Sequence, residues 1–142
     1  MIYTDSIKSN TEFKRMYYKS KYKIGFLTVI YLKKNREKTA SLGITVSKKV
    51  GNAVVRNRVR RIILAAYREL EKAEDYRGLT IVVVARKSCC KAKMCDVLKE
   101  MKRNLDILKG VKTKNGFKKV KPINKISSSW NFNIINNKNK IF

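Results

Sequence analysis

Apolar and polar positions along this chain repeat with two different periods, and the changes of period mark out the elements. Ser9-Asn10-Thr11-Glu12 has the Ser-x-x-Glu form of a capping box, which predicts a short helix with Phe13, Met16 and Tyr17 on one face. Residues 21–32 turn strand-like, and 26–32 are rich in β-branched and aromatic side chains. A charged turn over 33–38 follows. Ala40, Leu42, Ile44 and Val46 then alternate with Ser41, Gly43, Thr45 and Ser47, the period of a strand with one covered face. Gly51-Asn52 punctuates the next change, and Asn52 suits a helix N-cap.

From there the period becomes helical. Val55, Val59, Ile62, Ile63, Ala66 and Leu70 form an apolar stripe. Stepping 100° per residue sets Asn57, Arg60, Arg61, Leu64 and Arg68 opposite the stripe, with Arg56 and Arg58 on its flanks. Residues 79–85 are continuously apolar, as a strand covered on both faces must be. Met94, Val97, Leu98, Met101, Leu105 and Leu108 mark a final amphipathic helix. The order α-β-β-β-α-β-α predicts an α/β (α+β) two-layer sandwich, with a mixed sheet of about four strands and helices on one face. One domain is expected over 1–110. Residues 111–142 hold eight Lys, many Asn and no acid, and are expected to be a weakly ordered basic tail in which Trp130, Phe132, Ile134 and Ile135 are candidates for docking.

Charge then narrows the function. The 142 residues carry 35 basic and 10 acidic side chains, a formal +25. Such a field attracts phosphates over a Debye length of about 8 Å at physiological salt. Six of the fourteen residues from Lys48 to Arg61 are Lys or Arg and none is acidic, which makes nucleic acid the leading partner. The chain has no histidine, so His-based general acid–base catalysis and His-ligated metal sites are excluded. Its acids are scattered and form no set resembling a two-metal nuclease site, so no catalytic residue and no metal ligand is assigned. Cys89, Cys90 and Cys95 read as reduced thiols of a cytoplasmic protein. The apolar runs fall far short of the roughly 20 residues of a membrane span.

The string from 48 to 68 resembles the signature of the bacterial ribonuclease P protein subunit. It holds Lys48-Lys49, Gly51-Asn52-Ala53-Val54, Arg56-Asn57-Arg58, Arg60-Arg61 and Tyr67-Arg68. The likeness extends to Asn10, Phe13 and Tyr17 upstream, to Gly43-Ile44-x-Val46-Ser47, and to Ile81 through Arg86, over roughly residues 7–108. One departure is Leu64-Ala65, where the family usually has Arg-Glu. The resemblance implies a protein that docks on a catalytic RNA and grips the 5′ leader of precursor tRNA in a cleft between the sheet and the first helix. It further implies Mg²⁺ held mainly by the RNA and a left-handed β-α-β crossover; no membrane is expected from the short apolar runs, and no obligate protein partner is evident in the sequence.

Each site residue then has two readings. Lys48, Lys49, Asn52, Arg56, Asn57, Arg58, Arg60, Arg61 and Arg68 are expected to contact RNA, chiefly at phosphates; otherwise the arginines are a solvated basic face, Asn52 only a turn and cap, and Asn57 an exposed helix residue. Phe13, Tyr17 and Tyr31 are either core or, by resemblance, the lining of the leader cleft, where bases would stack. A structural binder of ribosomal RNA and a self-sufficient nuclease remain as alternative functions.

Overall fold

The computed structural model describes residues 1–110, and the readings of 111–142 lie outside them. The strands are β1 (Thr4–Ser6), β2 (Lys21–Ile24), β3 (Thr28–Lys34), β4 (Ala40–Thr45) and β5 (Leu79–Ala85). The helices are α1 (Asn10–Lys19), α2 (Ala53–Ala73) and α3 (Met94–Lys109), with short 3₁₀ turns at Lys48–Val50 and Lys87–Lys91. The strands form one mixed sheet in the order β1-β4-β5-β3-β2. β1, β4 and β5 run parallel, and β3 is antiparallel to β5 and β2. The sheet therefore has five strands rather than about four.

Alternation along the central strands serves two cores. Ile30, Leu32, Ile81 and Val83 face the larger one, with Val59, Ile63, Ala66, Tyr67 and Leu70 of α2 and Val97, Met101, Leu105 and Leu108 of α3. Their neighbours Val29, Tyr31, Val82 and Val84 face a smaller core closed by Ile7 and by Phe13, Met16 and Tyr17 of α1. The helices thus divide, with α2 and α3 on one face of the sheet and α1 on the other. This is why 79–85 lacks a polar face: both of its faces are covered. Burial of each large apolar side chain is worth about 1.5–3 kcal/mol, so the central strands carry much of the stability.

Two local features depart from the sequence expectation, the cap of α1 and the extra strand β1. Ser9 does occupy the N-cap of α1, but its side chain makes no capping hydrogen bond. Residues 21–32 supply two of the three strands expected between α1 and α2, folded at Gly25-Phe26-Leu27 into a hairpin. β1 is a further strand, and its residues have no strand-like pattern. It is held by pairing with β4 and by the Glu71 carboxylate, which accepts hydrogen bonds from Ile2 N (2.8 Å), Tyr3 N (3.1 Å) and the Thr4 hydroxyl. Burial opposes the charge on Glu71, yet these hydrogen bonds and the nearby N-terminal ammonium hold its carboxyl below the usual range.

Candidate nucleic-acid interface

The candidate interface begins where β4 hands over to α2. Lys48 and Lys49 are exposed on the 3₁₀ turn, and Asn52 caps the helix by accepting from Val55 N at 3.0 Å. The cap satisfies one of the amides that a helix start leaves without an intrahelical partner. No acid lies in the first turn of α2, so its positive end stands beside two lysines with no negative charge to offset it.

The buried stripe of α2 is Arg56, Val59, Ile63, Ala66, Tyr67, Leu70 and Glu71. It is rotated relative to the sequence reading: Val55 and Ile62 are only partly buried against the large core, and Tyr67 replaces them. Tyr67 shares a hydrogen bond between its hydroxyl and that of Thr4 (3.0 Å), and burial pushes its phenol up to about 12. Arg56 also leaves the expected cationic face. It is buried and its guanidinium turns back to donate to Gly51 O at 2.9 Å, closing the helix start from within. Leu64 likewise does not stand bare among the arginines, because it is half-buried and packs on the large core.

The remaining residues do share a surface. Asn57, Arg58, Arg61 and Arg68 are exposed and Arg60 is half-buried. Arg60 donates to the Asn57 side chain at 3.2 Å. Burial, and the neighbouring charge of Arg56, lower the guanidinium of Arg60 from its ordinary value. Arg58 reaches the 3₁₀ turn at 87–91, donating to Cys90 O (2.9 Å) and Ala92 O (3.5 Å). The described residues form ion pairs Lys72–Glu69, Arg77–Asp75 and Lys109–Glu74, and Lys48, Lys49, Arg58, Arg61 and Arg68 take part in none of these.

Phe13, Tyr17 and Tyr31 fall on the core side of their two readings. They are 1%, 2% and 1% exposed, so none offers a ring face to a ligand. Tyr17 packs edge-on to Tyr31 at 5.2 Å, and its hydroxyl pairs with that of Thr45 at 2.8 Å. Burial raises both phenols. Gly43 admits this layer: a Cβ there would lie 2.6 Å from the Phe13 ring.

There is nevertheless a cleft between α1 and the sheet. It measures about 440 Å³ and is lined by Arg15, Lys33, Lys34 and Arg36, with Glu12 and Glu37. A second cleft of about 490 Å³ shares Lys33 and Lys34 and adds Lys19, Lys21 and Lys109. Sequence reasoning passed over these cations, having treated 33–38 as a solvated turn; the run Lys33-Lys34-x-Arg36 was the available signal. The cysteines are free, and the Cys89 thiol is pushed up to about 11 by burial, so it is a poor nucleophile. Among the described residues no group of three or more His, Cys, Asp or Glu is placed to hold a metal ion, and no helix is long and apolar enough to cross a membrane.

A family model described as Ribonuclease P matches residues 1–109. The chain is 39% identical over 99 residues to the ribonuclease P protein component of Clostridioides difficile, covering 70% of this chain and 87% of that one. With the counterpart from Bacillus cereus strain B4264 the identity is 40% over 96 residues, covering 67% and 83%. Among solved structures, the Staphylococcus aureus RNase P protein superposes with TM-score 0.64 at 31% identity, over 72% of this chain and 93% of that chain.

Proposed function

This chain belongs to the ribonuclease P protein family, the protein component of an endoribonuclease that works with an RNA subunit, and from that premise we propose how it divides the labour. The chain binds the catalytic RNA and the 5′ leader of precursor tRNA, and leaves bond-breaking to the RNA. The observation that carries this reading is the set of exposed cations Lys48, Lys49, Arg58, Arg61 and Arg68, held by the 3₁₀ turn and by a helix whose other face is locked into the core. Each phosphate neutralised there releases condensed counterions. Affinity should therefore fall with salt with a log–log slope of about −0.7 to −0.9 per contact. Such contacts position a strand without reading its sequence, which suits a subunit serving many precursors.

The leader runs in the cleft between α1 and the sheet, held at its phosphates by Arg15, Lys33, Lys34 and Arg36. Phe13, Tyr17 and Tyr31 are buried and are not assigned to base stacking. Mg²⁺ is held mainly by the RNA. Among the described residues no group of three or more His, Cys, Asp or Glu is placed to hold a metal ion, and no step of the cleavage is assigned to them. The site of action is the cytoplasm. Family membership favours this reading over a structural binder of ribosomal RNA.

The test is cleavage of precursor tRNA at low Mg²⁺, with the partner RNA present and then absent. The expected result is cleavage only with the RNA, stimulated by the chain. Cleavage by protein freed of all RNA would overturn the division of labour, and absence of stimulation would overturn the binding role.

A further inference from the structure

The most exposed aromatic ring among the described residues lies neither on α2 nor in the α1 cleft. It is Phe26, 74% exposed at the tip of the β2–β3 hairpin. An exposed ring on a loose turn would be unremarkable, but this turn is fastened on several sides. Gly25 N donates to Thr28 O at 2.8 Å. Leu27 N and Thr28 N donate to the buried Glu100 carboxylate of α3 at 3.0 and 2.8 Å. Arg86 donates from its guanidinium to Gly25 O (2.7 Å) and from its backbone to Leu27 O (2.9 Å), and the Ser88 hydroxyl donates to Phe26 O. These bonds engage both backbone polar groups of Gly25, Leu27 and Thr28 and the carbonyl of Phe26. Gly25 is required by the closeness of the fit, because a Cβ there would lie 2.3 Å from Glu100 Oε1.

The ring is thus held out at little entropic cost to whatever it meets, and the charge around its mount selects the occupant. Arg86 is part of the mount, the exposed Lys87 follows it, and the same segment is bonded to Arg58 of α2 through Cys90 O and Ala92 O. A second copy of this chain would bring a further +25 to that surface. A neutral apolar peptide would leave the cations unused. An RNA strand supplies phosphates for the cations and a base for the ring, and base–aromatic stacking tolerates any sequence. We propose that Phe26 is a stacking platform for an unpaired nucleotide of the bound RNA. It extends the interface from α2, across residues 86–92, to the hairpin tip. This inference rests on the RNA-binding reading above.

The experiment uses the full chain with two probes, a 12-nucleotide single-stranded RNA of mixed sequence and a 12-base-pair RNA duplex, titrated across a salt series. Phe26→Ala should weaken single-strand binding roughly fivefold or more. It should leave the duplex affinity and the salt slope unchanged, since no cation is removed. Phe26→Tyr should bind as the parent does, and Phe26→Leu should lose affinity as Phe26→Ala does. Equal losses on both probes, or full binding by Phe26→Leu, would overturn stacking. So would an unchanged Phe26→Ala in a chain whose binding Arg61→Ala weakens, and that result would leave the RNA-binding reading standing. No binding of either probe at low salt by the parent chain would remove both. Self-association of the parent that Phe26→Ala abolishes would hand the ring to a second copy.

Discussion

Between Ala53 and Arg61, helix α2 shows solvent Asn57, Arg58 and Arg61. Between Ala66 and Glu71 the same helix buries Ala66, Tyr67, Leu70 and a carboxylate. The N-terminal half has no acid in its first turn and follows two lysines, whereas the C-terminal half carries Glu69 and Glu71. The first arrangement runs against the helix dipole, which favours acids at the start, whereas Lys72 in the last turn accords with it. The start of the helix is therefore held by packing rather than by its end charge. The cationic end is left electrostatically unsatisfied, as a surface that receives phosphates would be. The acidic end is satisfied internally, because Glu71 spends its charge on Ile2, Tyr3 and Thr4.

The contrast breaks most visibly at Glu71. Glu71→Ala should cost about 3 kcal/mol in chemical denaturation, since it leaves two amides and a hydroxyl without their acceptor. RNA affinity and its salt slope should not change in the folded variant; a parallel loss of both would mean that the two halves are not independent. At the other end, Arg61→Ala with Arg68→Ala should weaken RNA binding about tenfold and reduce the magnitude of the salt slope by about 1.5. Melting should shift by less than about 0.5 kcal/mol, as for ordinary surface changes. A large loss of stability with unchanged binding would assign these arginines to structure.

Arg56 sharpens the boundary, because it lies in the cationic sequence but on the buried face. Arg56→Ala should lower stability by about 1 kcal/mol through the lost bond to Gly51 O, and reduce the salt slope less than Arg61→Ala does in the same assay. The smallest effect is on pH dependence. The folded Glu71 carboxyl titrates below its unfolded value, so its stabilisation is fully present above the unfolded pKa and is lost as pH falls through the folded one. Glu71→Gln should flatten the acid limb of a stability–pH curve. A limb that stays equally steep would place the proton uptake elsewhere.

These contrasts were unequally legible in the residues alone. α2, its Asn52 cap and β4 announced themselves because their periods extend over several turns or pairs. β1 did not, since a three-residue strand has no period and is defined by partners at Ala40–Leu42 and Glu71. The turn of the hairpin was not placed, because Gly25 interrupts a β-rich run and the turn is fastened by Glu100, an acid that in sequence looks like a solvent-facing helix position. Arg56 was misassigned for the opposite reason: a long side chain on the flank of a stripe can fold back onto its own helix end. The aromatics of α1 were ambiguous because helical spacing describes a face but not what covers it. Only the packing around Gly43 decides in favour of burial.

The clasp at Glu71 also bears on how the chain is made. Its partners at Ile2, Tyr3 and Thr4 lie 69, 68 and 67 positions earlier, so this segment can be fastened only once a residue far along the chain is in place. The sheet edge nearest the N-terminus should accordingly be among the last parts to acquire protection during refolding. Pulse-labelled amide exchange that found Ile2 and Tyr3 shielded before α2 would contradict that order.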